Sequence, residues 1–174
     1  VKFVSQSHRE NYSIFLSEVV KYLVGRGFDV RLFPMQLKGA ASDDRPFLAE
    51  LCSGISSSRI EIMGDYHTMK NHMAAISKCK YFVGHKTHSI VMSLAMAVPL
   101  IAIAYHPKKL DFMQKFGLAE YCIDDRRLEF GNFKTMFERL EDNREEVVRL
   151  QKAKVKVFAK TVQSDFNDML RSYL

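Results

Sequence analysis

The sequence predicts an α/β fold, a Rossmann-like and mainly parallel sheet flanked by helices, for two reasons. Short apolar runs of strand length alternate along the chain with longer stretches of helical periodicity. The run at 99–105, PLIAIAY, is apolar almost throughout, as expected of a strand buried on both faces of a parallel sheet. Right-handed crossovers between such strands place helices on both faces of the sheet.

The predicted strands follow the short apolar runs. In chain order they lie at 1–6, 29–35, 59–64, 80–84, 99–105 and 120–124. They are rich in Val, Ile, Phe and Tyr, the residue types that favour extended backbone. Pro34 ends the second of them, because proline cannot donate to a sheet ladder.

The predicted helices carry apolar residues at three- and four-residue spacing. They lie at 11–27, 47–55, 66–79, 87–97 and 107–117, and from about 133 to the end with a break near Asn143. Gly25, Gly27 and Gly117 are typical helix stops, and Pro46 is a typical first helical residue. The residues predicted to face inward on the first and third helices are Ile14, Phe15, Val19, Tyr22, Leu23, Met69, Met73 and Ile76.

The composition is that of one globular domain spanning 1–174, with 47% apolar and 26% charged residues. No apolar run approaches the ~20 residues of a membrane helix. Cys52, Cys79 and Cys122 are too widely spaced for a zinc motif or a disulfide framework, and therefore predict buried thiols in a reducing, cytoplasmic compartment. The first residue is Val, so we expect an upstream portion of the protein to be absent.

No cofactor is expected. The first predicted strand is followed by SQSHREN rather than a glycine-rich dinucleotide fingerprint, and the chain has no P-loop and no Gly-x-Ser-x-Gly elbow. The net charge of +6 is spread along the chain and is densest at 149–160, RLQKAKVKVFAK. That pattern favours a solvated helix face over a nucleic-acid surface, so we expect no nucleic-acid partner.

A candidate anion site lies at 84–89, GHKTHS, where one predicted strand ends and a helix begins. Ligands of parallel sheets bind at this edge, and we expect Thr87 to be the N-cap of the helix. The free backbone N–H groups, the helix dipole, Lys86 and His88 would together stabilise a phosphate or carboxylate. The alternative is that His85 and His88 merely start the helix with satisfied hydrogen bonds, and the spacing alone leaves both interpretations open.

The next predicted strand ends in a second cationic tip at 105–109, YHPKK. Because the carboxyl ends of adjacent parallel strands meet at one edge of a sheet, the two tips should form one positive crevice. This juxtaposition favours the binding interpretation.

Together the two tips resemble the signature region of the polysaccharide pyruvyl transferase family. In that family a strand ends in Gly-x-Arg-x-His and is followed by a small-residue helix, Val-Pro, an apolar strand and Tyr-x-x-Lys. The matching residues here are Gly84, Lys86, His88, Val98, Pro99, Tyr105, Lys108, Phe112 and Gly117. The order of upstream elements also fits, so the resemblance covers nearly the whole chain as the C-terminal domain of a larger protein.

The resemblance implies one half of a GT-B-like, two-domain architecture, with the missing N-terminal domain forming the other wall of a cleft. The implied activity is transfer of a pyruvyl group from phosphoenolpyruvate to a sugar of a cell-surface polysaccharide, on a glycan or lipid-linked saccharide acceptor. By position, Lys86 and His88 would be catalytic, with His88 as general acid. The residues implied to bind the donor are Gly84, His85, Thr87, Tyr105, His106 and Lys108.

One residue departs from the family pattern, because Lys86 stands where the family has arginine. Lysine keeps the positive charge but loses the planar two-pronged hydrogen bonding of a guanidinium. His85 and His106 are the nearby cations that would compensate. Since the cleft needs both walls, we expect the 174 residues alone to be inactive.

Three other groups are candidates for the same edge. His8 follows the first predicted strand and either joins the crevice or only starts a helix. Asp43 and Asp44 are most simply helix-initiating residues before Pro46, although the resemblance suggests a binding role for them. Asp124–Asp125 follows the last predicted strand; the alternatives are contacts to a sugar or nucleotide and a simple loop, and the loop is the simpler interpretation.

His67 and His72 are the remaining histidines of the chain. They are five residues apart on a predicted helix, whereas ligands on one helical face are three or four apart. No metal site is therefore expected there.

Two other functions stay open on the sequence. The first is a glycosyltransferase half that binds a nucleotide sugar through its diphosphate at the same helix N-terminus. The second is a non-catalytic module whose long basic C-terminal helix, from about 144, contacts a partner or the inner face of a membrane.

Overall fold

The computed structural model describes residues 5–36, 43–64, 68–104 and 107–173. Its strands are β1 (Val30–Leu32), β2 (Ile60–Ile62), β3 (Phe82–Gly84), β4 (Leu100–Ile103) and β5 (Cys122–Ile123). Its helices are α1 (Gln6–Gly25), α2 (Arg45–Cys52), α3 (Met69–Ile76), α4 (Thr87–Ala95), α5 (Pro107–Lys115), α6 (Phe130–Asp142) and α7 (Arg144–Tyr173), with a 3-10 turn at Ala119–Tyr121.

All strand pairs in the described parts of the chain are parallel. β1 pairs with β2, and β3, β4 and β5 form a second sheet with β4 in the centre. The predicted α/β class with parallel sheets flanked by helices is therefore confirmed. Of the first predicted strand, 1–4 lie outside the described residues, while Ser5 caps α1 and Gln6 opens it, so no strand extends to residue 6.

The core is centred on β4, whose four residues are all buried. Helices contribute the apolar faces that the helical spacing predicts, including Phe15 and Val19 of α1 and Ile76 of α3. Tyr22, Phe133 and Phe137 pack between α1 and α6, and the Tyr22 ring meets the other two edge-to-face with centroids 6.4 and 6.2 Å away. The candidate site lies at the carboxyl end of this central, buried strand.

Three local predictions are wrong. Ile14 is 61% exposed, because it lies on a different face of α1 from the buried Val19. Met69 is 64% exposed, because it opens α3 and only the end of that helix reaches the core. Thr87 is not the N-cap of α4: Lys86 has the extended backbone of a cap, and Thr87 is the first helical residue.

The C-terminal helix α7 starts after Asn143, which ends α6 as the sequence predicts. Its first half packs on the domain: Gln151 is fully buried and donates from Nε2 to the Val98 carbonyl at 3.1 Å. The ring of Phe158 stacks on Phe116 with centroids 5.3 Å apart. Every residue at 159–169 is exposed, so only the first half of the helix packs on the domain.

Among the described helices, none combines the length and the apolar character needed to cross a bilayer.

Candidate functional site

The candidate site lies at the edge where β3, β4 and β5 end. These strands run parallel with Gly84 opposite Ala102 and Ile103 opposite Ile123, so the segments that follow them emerge side by side. The strands that carry the two predicted cationic tips therefore end at one edge of one sheet. Tyr105 and His106 lie outside the described residues, and α5 begins directly after them at Pro107.

Lys86 is held by a largely buried ion pair. Its Nζ donates to Asp44 Oδ2 at 2.8 Å and Oδ1 at 3.0 Å, and to Gln36 Oε1 at 3.1 Å. The side chains of Lys86 and Asp44 are 23% and 7% exposed. The lysine charge is thus matched by one carboxylate, and the pair is neutral as a unit.

Asp44 is more than the helix-initiating residue that the sequence suggested. It occupies the cap position before α2 without a side-chain cap bond. Its Oδ2 instead accepts a hydrogen bond from the backbone N–H of Met35 at 3.0 Å. Burial raises the pKa of Asp44, but the hydrogen bonds and charge of Lys86 help to outweigh it, and the net pKa lies below the ordinary value of 3.8. Asp44 is therefore ionised at neutral pH.

A second buried carboxylate, Asp125, binds two histidines. Its Oδ1 lies 3.2 Å from Nε2 of His8, and its Oδ2 lies 3.3 Å from Nε2 of His85. The Asp125 side chain is 1% exposed, and the two imidazoles are 18% and 14% exposed. We call these three residues the His–Asp–His cluster; it joins the first turn of α1 to the segments after β3 and β5.

The Asp125 carboxylate sets the proton positions of both rings. Burial raises the pKa of Asp125, while the hydrogen bonds and charges of His85 and His8 lower it, and the net pKa lies below 3.8. An ionised carboxylate only accepts hydrogen bonds, so each facing Nε2 carries a proton. The second nitrogen of His85, Nδ1, is buried and has no hydrogen-bond partner among the described residues.

Other side chains enclose the cluster. Tyr12 of α1 is 3% exposed and its ring centroid lies 5.1 Å from that of His85. Burial, followed by the charges of Asp125 and Asp44, raises the pKa of Tyr12 well above its usual range, so the phenol is neutral. Lys109 of α5 is 7% exposed; burial lowers its pKa and the Asp125 charge partly opposes that effect. Lys108, the residue predicted to line the crevice, is exposed.

The rest of the predicted donor-binding stretch opens α4. Gly84 is buried, and an added Cβ would lie 3.1 Å from Ile90 Cγ1, so this glycine allows close strand–helix packing. The hydroxyl of Ser89 donates to the Lys86 carbonyl at 2.7 Å. His88, in the first turn, is exposed. The first-turn N–H groups of a helix have no partners within it, which makes this end suited to an anion.

Neither a metal centre nor a reactive thiol emerges from the described residues. Within 5–36, 43–64, 68–104 and 107–173, no group of three His, Cys, Asp or Glu side chains has an arrangement that could hold a metal ion. His67 lies outside those ranges. Burial raises the pKa of Cys122 to about 11 and that of Cys52 and Cys79 above the ordinary value, so the thiols stay protonated at neutral pH.

The sequence pointed to part of this arrangement. His8 joins the crevice, one of the two outcomes that the sequence left open, and its partner lies 117 positions away. The roles of Asp125 and Lys109 were missed, because no local spacing indicates a pairing that forms only when distant strand ends meet. The signal available was two consecutive aspartates directly after a strand at the ligand-binding edge.

Comparison with known proteins identifies the family. The profile of the family described as polysaccharide pyruvyl transferase matches residues 2–107, more than half of the chain. The chain is 22% identical over 158 residues to the amylovoran biosynthesis protein AmsJ of Erwinia amylovora, an alignment that covers 80% of this chain and 34% of that protein. The chain thus spans about a third of the length of this relative. No solved structure matches it. The chain belongs to the polysaccharide pyruvyl transferase family.

Proposed function

We propose that the protein transfers a pyruvyl group from phosphoenolpyruvate to a sugar of a cell-surface polysaccharide, and that this chain supplies the site for the anionic groups of the donor. The observation that carries the proposal is the family match over 2–107, which includes the whole stretch 84–89 at the carboxyl edge. The name of the relative AmsJ, an amylovoran biosynthesis protein, supports a role in making an exopolysaccharide.

The donor carries a phosphate and a carboxylate, and the edge offers groups suited to both. The first turn of α4 provides backbone N–H groups and the positive end of the helix dipole. Lys86 provides a charge once Asp44 releases or shares it. His88 is exposed in that turn and can approach a ligand without rearrangement of the core.

His88 is proposed to act as the general acid of the reaction. One sugar hydroxyl adds through its oxygen to C2 of the enol while C3 gains a proton, and His88 is the proposed donor of that proton. A second hydroxyl then forms the other C2–O bond as phosphate leaves. The proton of the first hydroxyl restores His88 and that of the second ends on the departing phosphate, so a pyruvate ketal and inorganic phosphate are the products.

The remaining partners are proposed on the same basis. An N-terminal domain of the same protein would complete a GT-B-like cleft and bind the glycan or lipid-linked saccharide acceptor. A lipid-linked acceptor would place the reaction in the cytoplasm at the inner face of the membrane. The basic residues of α7 at 149–160, several of them exposed, would favour peripheral contact with anionic lipid there.

Activity of the full-length protein tests the proposal. With phosphoenolpyruvate and a lipid-linked saccharide, we expect inorganic phosphate release together with a new ketal methyl signal in the NMR spectrum of the product. Lys86→Ala and His88→Ala should each lower kcat by at least about 100-fold. His72→Gln, on α3, is the matched histidine control and should retain activity.

A different outcome would redirect the assignment. Transfer from a nucleotide sugar, with no turnover of phosphoenolpyruvate, would establish the glycosyltransferase alternative. Turnover of phosphoenolpyruvate that is unaffected by both variants would place the donor site elsewhere.

A further inference from the structure

Two carboxylates at the carboxyl edge bind different kinds of cation, a lysine in one case and two histidines in the other. The Lys86–Asp44 pair has one charge of each sign and no net charge across the neutral pH range. The His–Asp–His cluster carries a net charge of −1, 0 or +1 as none, one or both imidazoles are protonated. Histidine is the side chain that changes charge between about pH 5 and 8. The cluster is therefore an assembly whose charge depends on how many imidazoles carry a second proton.

The second ring nitrogen of His85 is the atom at which a further proton would be taken up. Because Nε2–H of His85 is bonded to Asp125, an added proton must go to Nδ1, which is buried and has no partner among the described residues. A buried N–H without an acceptor is costly, since it loses its hydrogen bonds to water and gains none in return. An oxyanion against this nitrogen would supply the acceptor and the opposite charge. Proton and anion should each make the other bind better.

We propose that the His–Asp–His cluster is a proton-linked anion-binding element, in which a tetrahedral oxyanion bound at the carboxyl edge is accompanied by uptake of a proton at Nδ1 of His85. Asp125 is its positioning residue, since it holds both rings through Nε2. This inference rests on the proposed function for the identity of the anion, a phosphorylated donor. It differs from the family signature, because His85, His8 and Asp125 are not among the motif residues.

Charged and titratable groups from several elements surround His85 and set the background of the linkage. They are His8 and Tyr12 of α1, Asp44 before α2, Lys86 before α4, Lys109 of α5 and Asp125 after β5. The burial and charge environment keeps Tyr12 protonated and Asp44 and Asp125 ionised at neutral pH. Of these groups, the histidines are the ones that can take up a proton when an anion binds.

Sulfate is the probe that tests the linkage, because it stays a dianion throughout this pH range and any pH dependence belongs to the protein. Sulfate is titrated into the 174-residue chain by calorimetry at about pH 6 and about pH 8, at constant ionic strength, in two buffers of different ionisation enthalpy. We expect tighter binding at the lower pH, by up to about tenfold per pH unit for one linked proton, and uptake of close to one proton per sulfate.

Variants locate the proton. His85→Gln keeps a donor for Asp125 but cannot gain a proton. With His88→Ala present in both proteins, which removes the other imidazole at this anion site, we expect the sulfate affinity of His85→Gln to be equal at the two pH values. His72→Gln should behave as wild type. Asp125→Asn should lose the linkage, with Asp124→Asn as its neighbouring control. His85→Gln decides the matter if Asp125→Asn does not fold.

Three results would overturn the inference: equal sulfate affinity at both pH values without proton exchange, persistence of proton uptake in His85→Gln, or no sulfate binding. The proposed pyruvyl transfer would stand through each of them, because it is judged by turnover of phosphoenolpyruvate in the full-length protein. Conversely, a proton-linked sulfate site in a protein that does not turn over phosphoenolpyruvate would refute only the transfer.

Discussion

Asp44 and Asp125 are both almost fully buried at the same edge, yet they sit in contrasting surroundings. Asp44 binds the ammonium group of Lys86, whose Nζ lies 2.8 Å from Oδ2. Asp125 faces two imidazoles at 3.2 and 3.3 Å, each of which can be neutral or charged. The edge therefore contains one carboxylate paired with a lysine and one whose histidine partners can change their charge. The Lys86–Asp44 pair holds the segment before α2 to the segment before α4. The charge of the His–Asp–His cluster, by contrast, can change when a ligand binds.

Removal of the Asp125 carboxylate should give the largest effect. In Asp125→Asn the carbonyl oxygen can still accept from one imidazole. The NH₂ group faces the N–H of the other imidazole, and two donors cannot form a hydrogen bond. We expect a loss of about 3 kcal/mol in the free energy of unfolding, since two hydrogen bonds to a buried charge are disrupted. Urea denaturation monitored by circular dichroism measures it.

Asp124→Asn is the matched control, because Asp124 is more exposed and its carboxylate bonds the exposed side chain of its close neighbour Arg126. Its unfolding midpoint should stay near that of wild type. Equal effects of the two substitutions would mean that Asp125 is not the distinctive carboxylate that the geometry indicates.

Asp44→Asn should have a smaller effect on stability, about 2 kcal/mol, because the lysine that it leaves behind is partly solvated. The same change frees Lys86, so we expect inorganic phosphate to bind several-fold more tightly, as measured by calorimetry. The control is Asp43→Asn, whose carboxylate bonds the exposed Arg45 instead. Weaker phosphate binding in Asp44→Asn would show that Asp44 holds Lys86 in its binding position rather than competing with the anion.

Acid should destabilise the fold through both carboxylates. The folded-state pKa of each lies below the ordinary value of 3.8, so their contribution is present above that value and is lost as the pH falls through the folded pKa. Thermal unfolding temperatures should therefore fall below about pH 4. The fall should be shallower in Asp125→Asn; an unchanged slope would contradict the assignment of an ionised, stabilising Asp125.

Loss of His88 should have the smallest effect on the fold. Its side chain is exposed, so His88→Ala should alter the free energy of unfolding by less than about 0.5 kcal/mol. Denaturation of this variant separates the two kinds of histidine at the edge, because His85→Ala removes a largely buried partner of Asp125 and should cost more. A large loss in His88→Ala would make it a structural residue and weaken its proposed role as a general acid.

The fold was predictable because it depends on local patterns. Apolar runs placed β3 and β4, and glycine and asparagine signals placed the ends of α1 and α6, as found. Ile14 was wrongly predicted because the sequence did not fix which face of α1 packs on the core. Met69 was wrongly predicted because only the end of α3 reaches the core. The cap of α4 was misplaced by one residue because Lys86, not Thr87, adopts the extended backbone.

The site was predictable only in position. Parallel topology placed the strand ends together, but the partners of Lys86 and His85 lie 42 and 40 positions away along the chain. No periodicity encodes such pairings, which depend on the loop geometry at each strand end. Sequence reasoning therefore found the cations and named Asp44 and Asp125 as candidates for this edge, but it did not pair them with Lys86 and with the histidines.

We propose that the donor anion binds at the carboxyl edge of the β3–β4–β5 sheet. Amide NMR spectra of the isotope-labelled chain, recorded during titration with phosphoenolpyruvate, test it most directly. We expect the amide signals of 84–89 and 124–127 to shift in a saturable way and those of α7 to change little. Shifts confined to other surfaces, or none at saturating phosphoenolpyruvate, would contradict it.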